Sequence, residues 1–244
     1  MSFVKVQGIV IKSKNINDSD KIITLLSDKL GKVDVVANGC RKPKSRFMSS
    51  TQMFCYGEYV INKGRSLHVL KESNILESFQ GLILDLDKLA YGSYFLELVD
   101  SLVEKDMKNI QMLALTLKTL YILLHNEGSL PLLKVVFDFK AISIAGFMPE
   151  VLKCINCKST EGPFVFSTPS GGIICKNCNK ENDLLLSKDE TKFLQDIRNI
   201  KLENINTLNV NFKTLNSVQS IITFYIRNYI ERDFKSLQLL KTLS

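Results

Sequence analysis

The chain has 244 residues, of which 45% are hydrophobic and 23% charged, and its formal net charge is +7. That balance excludes a disordered or low-complexity protein, and the length suffices for one large domain or two modest ones with a substantial core. Lys5, Lys12 and Lys14 break up the N-terminus, and the most apolar later stretch, Met112 to Leu124, contains Lys118 and is too short for a bilayer, so no membrane role is expected.

The positive charge sits early in the chain. Residues 1–80 carry 13 Lys/Arg against 7 Asp/Glu, whereas residues 81–150 carry 6 against 9. A segregated basic face suits a polyanion partner.

From Phe3 to Lys71 the pattern is that of strands. Val4, Val6 and Val10 alternate with Lys5 and Gln7, and Ile22 to Leu26, Lys32 to Val36 and Tyr59 to Asn62 continue it, with turns at Gly31, Asn38-Gly39, Gly57 and Lys63-Gly64. About five short strands without a long helix predict a small closed barrel, of the OB type that binds single-stranded nucleic acid or of the SH3-like type.

Between Asp34 and Glu58 there is no acidic residue, while Arg41, Lys42, Lys44 and Arg46 fall within six positions. Pro43 predicts an extended, irregular loop that holds these cations near a phosphate backbone. Phe47, Phe54, Tyr56 and Tyr59 follow closely and are candidates for stacking on bases. The competing reading is a solvated loop with its aromatics in the barrel core. Lys12, Lys14, Lys32 and Arg65 are further candidate phosphate contacts in the same third of the chain.

The period then becomes helical over Leu82 to Val103, Ile110 to Leu124 and Leu130 to Ile144, with a break at Gly128-Ser129-Leu130-Pro131. Two Cys-x-x-Cys pairs follow, Cys154/Cys157 and Cys175/Cys178, with 17 residues between them. That spacing fits four thiolates around one structural Zn²⁺, and the Pro- and Gly-rich segment between the pairs reads as the two short strands of a zinc ribbon. Two disulfides are the alternative, and they require an oxidising compartment. Cys40 and Cys55 lie outside any motif and read as free thiols in a reducing cytoplasm. Ser187-Lys188-Asp189-Glu190 is a capping box opening a helix through Ile197, and a long amphipathic segment runs from Phe212 to Ile230 before a last turn with Phe234, Leu237 and Leu240.

The fold class expected is therefore α+β and multi-domain: a small β-barrel domain over 1–80, then an α-helical domain over 81–244, interrupted by a zinc-binding element at 151–182. No Gly-x-x-x-x-Gly-Lys-Ser/Thr loop, His-Glu-x-x-His or His-x-Glu deaminase signature occurs, and His68 and His125 stand outside ligand-like patterns. The carboxylate pairs Asp18/Asp20 and Asp85/Asp87 fall where a turn and a helix start expect Asp. No enzyme is expected.

Gly39-Cys40-Arg41-Lys42-Pro43-Lys44-Ser45-Arg46 resembles the Gly-Ala-Arg-x-Pro-Lys-Ser-Arg stretch of the bacterial recombination mediator family RecO. Gly8 to Lys12, Asp20 to Ser27 closed by Gly31, the four cysteines and the ending Phe234-Lys235-Ser236-Leu237 are similar to the same family, so the resemblance covers essentially the whole chain. Cys40 stands where the family usually has alanine. The resemblance implies that the barrel over 1–80 is an OB-fold nucleic-acid-binding domain, in a cytoplasmic, nucleoid-associated protein that binds single- and double-stranded DNA and anneals complementary strands. With RecR, it would help load RecA onto DNA coated by single-strand binding protein, whose acidic tail is a further partner. It also implies that Arg41, Lys42, Lys44 and Arg46 form the DNA-binding loop and that the four cysteines are zinc ligands. A zinc-containing interaction adaptor that binds protein alone is the alternative.

Overall fold

In the computed structural model, residues 3–64, 67–125, 128–180, 185–230, 234 and 236 are described. The candidate cation Arg65, the expected core residues Leu237 and Leu240, and residues 181–182 of the expected zinc element lie outside them. The chain packs as two compact units, Met1–Asn126 with Phe234–Ser244, and Glu127–Asp233.

The first unit is built on five strands: β1 (Phe3–Asn15), β2 (Lys21–Ser27), β3 (Gly31–Ala37), β4 (Cys55–Asn62) and β5 (His68–Ser78). They close into a barrel in the order β1-β2-β3-β5-β4, antiparallel except for a short parallel pairing of β3 with β5 at Val35–His68 and Val36–Val69. One long strand makes closure possible. β1 pairs with β4 over Phe3–Ile9 and with β2 over Gly8–Asn15, and a bulge between Val10 and Lys12 bends it from one partner to the other.

Alternation sets the barrel core: Val6, Val10, Ile23, Leu25, Val33, Val35, Tyr59, Ile61 and Leu70 point inward. Ile9, Ile11 and Leu26 face the other way and are buried too, because the helices of this unit, α1 (Leu86–Leu102) and α2 (Ile110–His125), pack on β1 and β2. This is why Ile22–Leu26 reads as a continuous apolar run and not an alternating one. At the β2–β3 turn, Gly31 has φ +70, and a Cβ there would sit 2.1 Å from the Met107 carbonyl oxygen. Only glycine fits both constraints.

The first helix begins later than its periodicity suggests. Phe79–Leu84 forms a 3-10 turn, Asp85 is extended at φ −127, and its carboxylate accepts the Lys88 N–H to cap α1. Asp85 therefore serves the helix start. Phe234 closes the unit by packing edge-on against Tyr94 at 5.9 Å, and the Ser236 N–H donates to Glu97 Oε2 at 3.0 Å.

The second unit holds α3 (Leu130–Ile144), a hairpin of β6 (Phe164–Ser167) and β7 (Gly172–Cys175), α4 (Lys188–Asn199) and α5 (Phe212–Tyr229). Helix α3 spans the residues its periodicity marks, and the Ser187/Glu190 capping box opens α4 with both hydrogen bonds made. α3 packs on α4 and α5. Inside it Lys134 pairs with Asp138 at 2.6 Å, both side chains about fully buried, with Thr223 of α5 3.4 Å from the ammonium. The hairpin rests on α5 through Phe166, whose ring meets Tyr225 edge-on at 5.5 Å.

Candidate nucleic-acid interface and metal centre

The connection from β3 to β4, residues 38–54, carries the basic cluster. It is a run of hydrogen-bonded turns, not the extended segment that Pro43 suggested. Lys42 N–H donates to the Gly39 carbonyl (3.2 Å), Ser45 to Lys42 (3.1 Å) and Met48 to Ser45 (3.2 Å). Pro43 holds the second position of the Lys42–Ser45 turn, where its fixed φ is favourable, and Lys44 takes the third at φ +64.

Arg41, Lys42, Lys44 and Arg46 are all exposed. Two of them are also tethered. The Arg41 guanidinium donates to the Asn17 carbonyl, and Arg46 donates to the Lys71 carbonyl at 2.8 Å while lying 4.8 Å over the Phe47 ring. A guanidinium has five donors, so these bonds leave others for a phosphate. The loop is bound to the β1–β2 turn by backbone as well: Arg41 N–H donates to Ser19 O at 3.0 Å and Gly39 N–H to Asp20 Oδ1 at 2.6 Å. These contacts draw the Asp20 carboxyl below its ordinary range, the Gly39 N–H first and the Asn17 side chain second.

Several candidates are corrected by burial. Phe47 is 9% exposed and belongs to the barrel core, as does Tyr59 at 0%, and Phe54 is 2% exposed. None of the three presents a face to a base. The competing reading of core aromatics holds for them, and Tyr56, half-buried, donates to Gln7 at 3.1 Å. Lys32 is also removed from the phosphate-contact set. It is buried, pairs with Asp100 at 3.2 Å and donates to the Asp100 carbonyl, which fastens β3 to the end of α1. Lys12 reaches the same carboxylate at 3.6 Å.

Lys14 is exposed, and register places it opposite Ile22, which pairs with Val36 one residue before the loop's strand ends. The same row arithmetic brings in Lys21, paired with Ala37, and the Arg46 contact brings in Lys71. Both escaped the sequence reading, because only the pairing of strands puts them beside the loop.

The metal-type site lies in the second unit. Cys154, Cys157, Cys175 and Cys178 place their sulfur atoms within 4.8 Å of one another, and those of Cys157 and Cys175 are 3.6 Å apart. None is in a disulfide, whose bond would be about 2 Å. Among the described residues this is the one such group of metal-type ligands. Each Cys-x-x-Cys folds into a knuckle closed by main-chain bonds, Lys158 N–H to Cys154 O at 2.9 Å and Cys178 N–H to Cys175 O at 2.9 Å. The β6–β7 register, Phe164 opposite Cys175, aims the second knuckle at the first, and Ile155 N–H donates to Ile173 O at 3.0 Å to join them.

Four thiols this close cannot ionise alike. Burial opposes ionisation of Cys154, but the N–H groups of Cys157, Cys175 and Asn156 overcome it and bring its pKa down to about 6. Cys178 is pushed up to about 12, chiefly by its hydrogen bonds to the Cys175 and Cys157 sulfurs. The four sulfurs form one close set of metal-type ligands. It could hold a metal ion with all four sulfurs.

Among the described residues no helix is long and apolar enough to cross a membrane. The family model described as recombination protein O N terminal matches residues 1–79, and that described as recombination protein O C terminal matches residues 83–238. Curated relatives named DNA repair protein RecO align along the full chain. That of Caldanaerobacter subterraneus subsp. tengcongensis is 33% identical over 248 residues, covering 100% of both chains. That of Acetivibrio thermocellus is 31% identical over 246 residues, covering 100% of this chain and 98% of its own. That of Halalkalibacterium halodurans is 31% identical over 244 residues, covering 99% and 95%.

Proposed function

The chain belongs to the recombination protein O family, whose work is DNA repair and recombination, and from that premise we propose that it is a non-enzymatic, DNA-binding mediator that anneals complementary strands. The observation that carries this reading is the set of four exposed cations on the ordered β3–β4 loop of an OB-ordered barrel. Neutralised phosphates lower the repulsion between two strands, and bases left uncovered are free to pair. Burial of Phe47, Phe54 and Tyr59 supports a grip on the backbone over a grip on the bases. Single- and double-stranded DNA are then both ligands. RecR, the acidic tail of single-strand binding protein, and a role in loading RecA complete the proposal, in the cytoplasm at the nucleoid.

The four cysteines would hold Zn²⁺. Zn–S bonds of about 2.3 Å in a tetrahedron put sulfurs about 3.8 Å apart, and the 3.6 Å between Cys157 and Cys175 supports that fit. Bound there, the metal supplies a structural cross-link, since four protein ligands leave no position for water. The cysteines' part is to join the two knuckles and so fix the hairpin.

A salt titration of single-stranded DNA binding tests the proposal. Four phosphate contacts give a log–log slope of roughly −3, and Arg41→Ala with Arg46→Ala should reduce it by about 1.4 and weaken all sequences alike. A folded double variant with unchanged affinity and slope would reject the loop. Absence of any salt-dependent DNA binding would favour an adaptor that binds protein alone.

A further inference from the structure

The loop's cations meet an acidic residue where a polyanion site should avoid one. Asp20 ends the β1–β2 turn, and its Oδ1 accepts the N–H of Gly39 at 2.6 Å. Gly39 opens the first loop turn at φ +66, so this bond fixes the backbone from which Cys40, Arg41 and Lys42 follow. Asp20 is held in turn by Asn17, which donates from Nδ2 to Oδ2 at 2.9 Å while its own Oδ1 accepts the Ser19 and Asp20 N–H groups at 2.8 Å each. The same turn takes both polar ends of Arg41, its N–H on Ser19 O at 3.0 Å and its guanidinium on Asn17 O.

We propose that Asp20, braced by Asn17, is a positioning residue that sets the basic loop for the DNA backbone. This rests on the loop being the DNA contact. As a bare charge Asp20 works against the proposed ligand, because a carboxylate beside the cations repels phosphate. Its contribution is to order the loop beforehand, so that Arg41 and Lys42 need not be fixed at the moment of binding. Field and geometry therefore predict opposite signs for its removal.

The experiment uses the full-length protein, a fluorescein-labelled oligo-dT and a salt series, with Asp20→Ala, Asp20→Asn and the Arg41/Arg46 double alanine variant side by side. Asp20→Ala should bind roughly tenfold more weakly, about the cost of ordering one backbone residue on binding, with only a small fall in melting temperature. Asp20→Asn keeps an oxygen for Gly39 and should recover most of that loss. Amide exchange at Gly39 and Arg41 should quicken in the alanine variant and much less in the asparagine variant.

Binding by Asp20→Ala that equals or exceeds wild type would overturn the proposal, and would make Asp20 a repelling charge or an internal competitor for the loop's donors. Asp20→Asn as weak as Asp20→Ala would also overturn it. If the Arg41/Arg46 variant weakens binding while Asp20→Ala does not, only the role of Asp20 falls. If the Arg41/Arg46 variant binds as wild type, the loop itself is the wrong site.

Discussion

The β3–β4 loop and the cysteine hairpin are both irregular segments, and they are fixed by different means. In the loop, order comes from many separate polar bonds, to Asn17, Ser19, Asp20 and Lys71, with the buried side chains of Cys40, Phe47 and Phe54 beneath. In the hairpin it converges on four sulfurs within 4.8 Å. Distributed, solvent-facing bonds are individually weak and leave side chains free to serve a ligand. A single closed cluster, when it holds a metal, is strong, cooperative and uses up its own chemistry. The difference is consistent with the proposed division of labour, DNA contact at the loop and mechanical integrity at the hairpin.

The largest test of that contrast is to break the cluster. Cys154→Ser, or a strong chelator, should destabilise the second unit by several kcal/mol, since structural zinc contributes on the order of 10 kcal/mol in small modules. Thermal melts with metal analysis check this, and a loaded wild type that melts like the stripped protein would count against a structural metal. Next is the other buried polar device of that unit. Lys134→Ala removes the ammonium that pairs with Asp138 inside the fold and should cost about 3–5 kcal/mol, whereas Lys134→Met with Asp138→Leu should recover most of it. Denaturant titration distinguishes the two.

In the barrel unit the expected losses are smaller and their nature differs. Phe47→Ala should lower stability by about 3 kcal/mol, because it empties part of the core. The salt slope of DNA binding should stay near wild type once the variant is kept folded. A loss of affinity at full stability would restore Phe47 as a stacking residue. The smallest effect is on pH. The Asp20 carboxyl is lowered by the Gly39 N–H and the Asn17 side chain, so its tether is present above the ordinary carboxylate range and lost as pH falls through the lowered value. Gly39 amide protection should therefore be flat from neutral pH to about 4 and drop only below it.

Legibility in the sequence followed from how local each signal was. Helix α3, the Ser187 cap and the two cysteine knuckles are written within a few residues of themselves, and all three stand where the spacing puts them. The barrel was legible as a class because valines alternate with polar residues in β1 and β3. The outer half of β5, Glu72–Ser78, gave no alternation, since it is largely exposed on both faces and is held by pairing with β4. Lys32 and Phe47 failed for a common reason. Their fate is decided by Asp100, 68 residues away, and by a core assembled from five strands, neither of which any local window contains. Asp20 was read correctly as a turn residue, but its partner Gly39 is 19 positions on.

The Phe234–Tyr94 and Ser236–Glu97 contacts have a consequence for how the protein is made. The barrel unit is interrupted by the whole of residues 127–233 and takes its closing pieces from positions 234 and 236. During synthesis the second unit is therefore complete on the ribosome before the first, although the barrel strands emerge earliest. A message truncated after residue 230 would encode every barrel strand and every cysteine, and would still lack the Phe234 contact of Tyr94 and the Ser236 bond of Glu97. Such a product carries its defect in the barrel unit, so quality control acting on exposed apolar surface would read the state of that unit as a report on whether translation had run through the other one.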